Sequence, residues 1–178
     1  MARHEDLAAL IGTIPDHPRP GIVFRDIGPL IRDGHGFRTT IERLADLVDA
    51  DAIDLVAGIE ARGFVFAAAL AYRLERGLVM LRKRGKLPGV LAGIDYALEY
   101  GTDRLEMQAD AARPGARVLL VDDLLATGGT ALAATALLRQ AGAVVSRALF
   151  IIALDGLDGE ARLTGAGVRI EALMAFEA

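Results

Sequence analysis

The amino-acid sequence predicts an α/β protein whose core is a parallel sheet of about five strands flanked by helices. Two features predict this class. Short apolar runs, typical of strands buried on both faces, alternate with longer segments rich in helix-forming residues. One of these runs leads through a pair of glycines directly into a helix, an arrangement that suits phosphate binding. The 178 residues contain no evident linker or repeat, and we therefore expect one domain, 1–178, with an N-terminal cap over 1–35.

The composition excludes several kinds of site. The chain has no cysteine, which rules out disulfides, a thiol nucleophile and a cysteine metal site. A net charge of −4 argues against broad binding to nucleic acid. The longest uncharged run, 124–138, is too short to span a bilayer, so no membrane association is expected. Acidic residues stand where a secretory signal would have basic ones, and we expect a cytoplasmic protein.

The first third of the chain is predicted to contain two helices and one strand. An amphipathic helix is expected over 3–13, and prolines between Pro15 and Pro20 then favour an extended path. Apolar residues recur at helical spacing in the next helix: Phe37, Ile41, Leu44 and Val48. The apolar run 54–59 is the first predicted parallel strand, and the helix that follows reaches about Arg73.

Polar residues follow the first two predicted strands, at the edge of a parallel sheet where ligands bind. Glu60 and Arg62 come after 54–59, and we favour ligand contact over a salt bridge between the two. The next strand, 78–81, runs into four cations that precede a Pro-Gly turn: Arg82, Lys83, Arg84 and Lys86. This pattern predicts a mobile, basic lid loop over 82–98, with an ordinary solvated turn as the alternative.

The remaining elements are predicted from further apolar runs and the glycines that interrupt them. The expected strands lie within 94–100, 105–108, 118–121, 146–154 and 168–176. A helix rich in alanine and leucine is predicted over 130–140, and Gly142 is positioned to end it.

The segment from 118 to 130 carries the most specific pattern in the chain. Two carboxylates and a glycine-rich loop with threonine hydroxyls follow the strand: Asp122, Asp123, Ala126, Thr127, Gly128, Gly129 and Thr130. Glycines let the main chain approach a ligand closely, and free N–H groups at the start of a helix attract anions. Because no Gly-Lys-Ser/Thr sequence follows, a nucleoside triphosphate is a poorer candidate than another phosphate ester.

The adjacent aspartates indicate which chemical group bears the phosphate. At the expected end of a strand, where side chains no longer alternate strictly, Asp122 and Asp123 could both accept hydrogen bonds from a vicinal diol. A ribose 5′-phosphate would place its hydroxyls on the carboxylates and its phosphate on the loop. Capping of the next helix explains one aspartate well, but two aspartates before Ala-Thr-Gly-Gly-Thr favour a phosphosugar site.

Type I phosphoribosyltransferases carry a phosphoribosyl-pyrophosphate (PRPP) motif that resembles the run Val118-Leu-Leu-Val-Asp-Asp-Leu-Leu-Ala-Thr-Gly-Gly-Thr130. Three further segments are similar to those of the adenine phosphoribosyltransferases within this family: Pro20-Gly-Ile-Val-Phe-Arg-Asp-Ile27, Glu60-Ala-Arg-Gly-Phe64 and Tyr96-Ala-Leu-Glu-Tyr-Gly-Thr-Asp103. The resemblance covers nearly the whole chain, with the motifs in the expected order. It implies a type I phosphoribosyltransferase fold and purine salvage, in which adenine and PRPP give AMP and pyrophosphate. It also implies a homodimer, and Mg²⁺ bound mainly through PRPP with no direct protein ligand.

The same resemblance implies a role for individual residues. Three residues would be catalytic. Glu99 would handle the proton on the base, and Arg62 and Lys83 would neutralise the charge of pyrophosphate. The base would lie against Val23, Phe24 and Arg25. PRPP would bind the two aspartates, the glycine-rich loop and one lid cation: Asp122, Asp123, Ala126, Thr127, Gly128, Gly129, Thr130 and Lys86.

Two alternatives stay open at this point. A phosphoribosyltransferase for another purine, such as hypoxanthine or xanthine, would carry the same PRPP motif. A regulator could also keep the PRPP loop and bind nucleic acid instead of catalysing a reaction. The acidic balance of the chain and the lack of an added DNA-binding segment count against the regulator.

Overall fold

The computed structural model describes residues 4–98 and 101–178. The helices are α1 (Glu5–Ala8), α2 (Gly28–Arg32), α3 (Gly34–Asp46), α4 (Gly63–Leu74), α5 (Gly129–Gln140) and α6 (Gly159–Gly165). The strands are β1 (Gly12–Ile14), β2 (Phe24–Asp26), β3 (Leu55–Ile59), β4 (Gly77–Lys83), β5 (Leu91–Leu98), β6 (Gly101–Gln108), β7 (Arg117–Leu125), β8 (Val144–Asp155) and β9 (Arg169–Glu177).

The main sheet has seven strands in the order β5-β6-β4-β3-β7-β8-β9. Five of them, from β4 to β9 in this order, are mutually parallel, which confirms the predicted α/β class. From β3 the chain first adds β4 on one side of the sheet and later adds β7 on the other. The carboxyl ends of β3 and β7 therefore flank a topological switch point, where open α/β sheets form a ligand crevice.

Helices cover both faces of the sheet. Alternate residues of β7 therefore pack in two different hydrophobic cores, one on each face. Leu120 packs in the same core as Leu137 of α5, whereas Leu119 and Val121 pack with Phe66 of α4. These side chains are almost fully buried, and burial of each stabilises the fold by about 1.5–3 kcal/mol. The continuous apolar run of β7 is thus explained by its two covered faces.

Strand β7 is longer than the sequence analysis predicted, and the prediction that it ends at the two aspartates is wrong. Its pairing with β3 stops at Gly58↔Val121, but its pairing with β8 continues to Leu125↔Ala153. The ladder with β8 keeps Asp122 and Asp123 in extended backbone. The opposite edge of β7 is free of β3 at these residues, so the strand remains open towards the crevice.

The predicted lid loop over 82–98 is also too long. Leu91–Leu98 form β5, which pairs antiparallel with β6, and β6 joins the end of β4 at Arg82↔Glu106. A hairpin anchored on the sheet in this way leaves only 84–90 as connecting loop. The four predicted cations therefore divide between the strand end and the loop.

The N-terminal cap differs from its prediction as well. The expected helix over 3–13 ends at Ala8, because Gly12–Ile14 form β1 and pair antiparallel with β2. Leu7 of α1 and Leu30 of α2 are buried in the core that also contains α3 and α4, which ties the cap to the domain. Among the helices of the described residues, none has the length and apolar character needed to cross a membrane.

Candidate active site

The glycine-rich loop between β7 and α5 surrounds a cavity of 220 Å³ at the N-terminus of α5. Gly128 has a φ of 77°, a left-handed conformation that favours glycine, and it caps the 12-residue helix. The first-turn N–H groups of a helix have no carbonyl partner within it and carry the positive end of its dipole. The structure brings six of the predicted PRPP residues around this cavity: Asp122, Ala126, Thr127, Gly128, Gly129 and Thr130.

The carboxylates of the two aspartates of β7 both lie near the start of α4. Asp122 lines the loop cavity, whereas Asp123 extends to Arg62 at the start of α4, with 2.9 Å between Oδ2 and Nε. Gly63 lies so close to β7 that an added Cβ would stand 2.5 Å from Asp122 Oδ1. The glycine after Arg62 therefore permits the contact between the start of α4 and the strand.

The environment of the aspartates changes their acidity. Burial raises the pKa of Asp122, and the neighbouring charge of Asp123 raises it further. Burial also raises the pKa of Asp123, but the guanidinium of Arg62 opposes this effect. Asp123 is 7% exposed at its side chain and Arg62 is 41% exposed, so the ion pair joins a buried carboxylate to a cation that reaches the crevice.

Arg62 retains hydrogen-bonding capacity beyond this ion pair. Its Nη1 and Oδ2 of Asp123 are buried atoms without an aligned hydrogen-bond partner in the described part of the chain. The guanidinium carbon lies 5.1 Å from the ring centroid of Phe24, within cation–π range. Arg62 thus connects the predicted base-binding segment to the predicted PRPP strand, and its free donor suits an anionic ligand.

Glu60 makes a contact that the sequence analysis did not predict. Its carboxylate forms a salt bridge of 3.0 Å with Arg82 and accepts a hydrogen bond of 2.8 Å from the N–H of Lys83. The hydrogen bond from Arg82 lowers the pKa of Glu60 and so keeps it ionised. Through these two contacts Glu60 joins the ends of β3 and β4, and its predicted contact with a ligand stays a prediction.

Lys83 is already paired in this structure. Its Nζ contacts the carboxylate of Asp103 in an ion pair and the hydroxyl of Tyr96 at 2.9 Å. Burial lowers the pKa of Lys83, but the hydrogen bonds to Asp103 and Tyr96 outweigh burial and leave that pKa above its ordinary value. The cation therefore stays charged at neutral pH. Lys86, in the loop that follows, is exposed.

The predicted base-binding residues lie on and beside β2. Phe24 packs edge-on against His17, with 5.0 Å between ring centroids. The guanidinium of Arg25 donates to Thr13 Oγ1 at 3.1 Å and to the Glu177 carbonyl at 2.9 Å. These bonds direct the end of the Arg25 side chain towards β1 and the end of β9. Val23 is partly exposed.

One predicted site residue, Glu99, falls outside the described residues 4–98 and 101–178. Sequence reasoning in turn missed two residues that contact the glycine-rich loop from the side of α6. Gly159 packs against the loop, and Arg162 donates a 2.7 Å hydrogen bond to the Thr127 carbonyl. No signal in 155–165 indicated this contact, because it joins residues 35 positions apart through a main-chain atom.

The chain is similar in sequence and in fold to known proteins. Residues 31–162 match the model of the phosphoribosyl transferase domain family. The adenine phosphoribosyltransferase of Sphingopyxis alaskensis is 58% identical over 171 residues, which are 96% of this chain and 93% of that protein. The crystal structure of adenine phosphoribosyltransferase from Thermoanaerobacter pseudethanolicus has a TM-score of 0.93 and 46% identity, covering 97% of this chain and 99% of that one. The Saccharomyces cerevisiae enzyme, complexed with an imino-altritol bisphosphate and adenine, has a TM-score of 0.86 and 35% identity, covering 96% and 98%.

Proposed function

Since this chain belongs to the adenine phosphoribosyltransferases of the phosphoribosyl transferase family, we propose that it converts adenine and PRPP to AMP and pyrophosphate in purine salvage. The observation that carries this proposal is the loop cavity at the N-terminus of α5, lined by Asp122 and the Thr-Gly-Gly-Thr run. A helix N-terminus and glycine N–H groups suit the 5′-phosphate. A carboxylate at the same cavity suits the ribose hydroxyls.

The reaction replaces one bond at C1′ of the ribose by another. The bond from C1′ to the pyrophosphate oxygen breaks, its electron pair leaves with pyrophosphate, and N9 of adenine forms the new bond. Positive charge develops on the ribose ring in between, so the protein contributes positioning and stabilisation of the leaving group. Arg62 is suited to the second task, because it has an unused buried donor beside the strand that binds the ribose.

Two further residues complete this proposal. Lys83 would turn from Asp103 to the pyrophosphate when PRPP binds, and the exposed Lys86 would close over it with the loop 84–90. Protection of Arg84 and Lys86 from trypsin by PRPP would support closure; equal cleavage with and without PRPP would contradict it.

Glu99 is proposed to accept the proton that N9 of adenine releases, as its place before Tyr-Gly in the sequence suggests.

Mg²⁺ is proposed to arrive with PRPP. No group of three or more histidine, cysteine or acidic side chains that could hold a metal occurs within 4–98 and 101–178. Asp122 and Asp123 supply carboxylate oxygens, which suit a hard cation or its bound water, but they do not form a complete protein ligand set. When bound, Mg²⁺ would neutralise part of the pyrophosphate charge.

A homodimer is proposed from an exposed apolar strip beside α4. Tyr72 is 88% exposed and lies seven residues from Val65, on the same side of the helix. Met80 is in register with Gly58, which faces α4, so Met80 and Leu78 expose their side chains next to that helix. A second copy of the chain would cover this strip. Sedimentation velocity at micromolar concentration tests it, and a purely monomeric mass would exclude this dimer.

An activity assay tests the proposed function as a whole. Radiolabelled adenine, PRPP and Mg²⁺ should give labelled AMP, whereas hypoxanthine should give far less product. Comparable rates with hypoxanthine would support a phosphoribosyltransferase for another purine. Absence of any product, together with binding of PRPP, would support a regulatory protein instead. The cytoplasm remains the proposed compartment, which cell fractionation would test.

The affinity for PRPP should depend on the two aspartates of β7. Asp122→Asn and Asp123→Asn should each weaken PRPP binding by about 10- to 100-fold, because a neutral amide replaces a charged acceptor of the ribose hydroxyls. Adenine binding should change little. Calorimetric titration with PRPP and Mg²⁺ measures the effect, with Asp46→Asn on the exposed face of α3 as control. Unchanged PRPP affinity in both variants would remove the aspartates from the diol site.

A further inference from the structure

Helix α6 lies directly behind the loop that surrounds the phosphate cavity. Gly159 begins this helix and is buried, and Arg162, one turn later, reaches the Thr127 carbonyl with a 2.7 Å hydrogen bond from Nη1. Arg162 itself does not line the cavity. The residue therefore touches the loop from outside the site that the ligand would occupy.

The bond from Arg162 fixes the orientation of one peptide unit in the loop. The peptide between Thr127 and Gly128 is planar and trans, so its C=O and N–H point in opposite directions. Since Arg162 binds the carbonyl, the Gly128 N–H is directed away from α6, towards the cavity that Gly128 lines. A reversed peptide would turn a carbonyl oxygen towards the phosphate and repel it.

The glycine that begins α6 supports the same arrangement by packing. An added Cβ on Gly159 would overlap the Ala126 carbonyl oxygen, and an added Cβ on Gly128 would stand 3.0 Å from Gly159 Cα. The two main chains are thus in direct contact, with no side chain between them. Leu163 of α6 is fully buried in the core shared with α5, which holds the helix at this distance.

From these contacts we propose that Arg162 is a positioning residue for the 5′-phosphate loop. It holds the Thr127 carbonyl outward so that the Gly128 N–H is presented to the phosphate, and Gly159 allows α6 to approach closely enough for this bond. The inference rests on the proposed function, because that function supplies the 5′-phosphate as the ligand of the loop.

Calorimetry with Arg162→Met tests the role of the guanidinium. The dissociation constant for ribose 5-phosphate and for PRPP should rise by about 3- to 10-fold, the loss expected for one hydrogen bond acting through the loop. Pyrophosphate and adenine should bind as in the wild type, because the proposed function places only the 5′-phosphate on this loop. Arg162→Lys, which retains a donor, should recover part of the affinity. Arg169→Met removes an exposed arginine on β9 and serves as the matched control.

Gly159→Ala provides a second perturbation that leaves Arg162 in place. The added methyl group must displace the Ala126 carbonyl, so ribose 5-phosphate binding should fall while pyrophosphate binding is kept. Wild-type affinity for ribose 5-phosphate in Arg162→Met would overturn the inference. Equal losses for ribose 5-phosphate, pyrophosphate and adenine would also overturn it, since they indicate general disruption. A wild-type protein that binds neither PRPP nor ribose 5-phosphate would contradict the proposed function itself.

Discussion

Replacement of Arg62 by methionine is expected to lower kcat by about 10²–10³, the loss usual when one preorganised charge is removed from a developing anion. Arg62 forms an ion pair with Asp123 of β7, the strand proposed to bind the ribose, and its Nη1 is a buried donor with no aligned partner among the described residues. A donor of this kind can be used fully only when the departing pyrophosphate accepts from it. The interaction should therefore strengthen in the transition state and affect kcat more than the KM for adenine.

The same substitution should change the pH dependence of PRPP binding. Arg62 opposes the upward shift of the pKa of Asp123, so its removal raises that pKa further. The ionised carboxylate of Asp123 accepts more strongly from ribose hydroxyls than the neutral acid, and raising its pKa therefore moves the acidic limit of tight PRPP binding to higher pH. Titration of PRPP affinity against pH in the wild type and in Arg62→Met measures this shift.

Two further variants separate the roles of Arg62. Arg62→Lys keeps the charge but loses the fork of donors, and should recover part of kcat and most of the pH profile. Arg73→Met removes an exposed arginine from the same helix, where it pairs with Glu42, and should leave both properties unchanged. If Arg62→Met retained wild-type turnover in single-turnover kinetics, the proposed role at the leaving group would be wrong.

The parallel core of this fold could be predicted from local patterns because each strand is buried on both faces. Val118 to Val121 forms a continuous apolar run, and only a covered strand requires that pattern. The ends of the strands were harder to predict. The continuation of β7 to Leu125 depends on its ladder with β8, which residues of β7 alone do not reveal. The hairpin β5–β6 was likewise shortened in the prediction, because its polar residues resemble those of a loop.

The site was predictable where one stretch of chain builds it and not where distant residues meet. The loop from Ala126 to Thr130 is continuous in sequence, and its glycines indicate a phosphate site directly. The pairing of Lys83 with Asp103 joins β4 to β6, two strands that are not consecutive in the chain and whose register the sequence does not fix. The bond from Arg162 to a main-chain oxygen leaves no trace in sequence at all.

Selection of the base should depend on main-chain atoms beside β2. In the described residues β2 pairs only with β1, so its other edge is available. Backbone groups two residues apart in extended chain point to the same side, which allows the Val23 carbonyl and the Arg25 N–H to face one base together. The side chain of Arg25 is held by Thr13 and the Glu177 carbonyl, and this fixes its main chain in place.

This arrangement favours adenine over hypoxanthine. Adenine presents a donor at N6 to the Val23 carbonyl and an acceptor at N1 to the Arg25 N–H, whereas hypoxanthine presents the opposite pattern at both positions. Each buried group left unpaired costs about 1–3 kcal/mol. The ratio of kcat/KM for adenine to that for hypoxanthine should therefore be on the order of 10²–10⁴.

Because backbone atoms select the base, Val23→Ala should lower activity modestly and leave this ratio intact. Steady-state kinetics with both bases in the wild type and in Val23→Ala measures it, and Val144→Ala, at an exposed residue that begins β8, serves as the matched control. Similar kcat/KM values for the two bases in the wild type would refute selection of adenine. A ratio that collapsed only in Val23→Ala would mean that the side chain, and not the main chain, distinguishes the bases. The main-chain mechanism requires that the ratio survive the loss of the valine methyl groups, since the carbonyl they adjoin is unchanged.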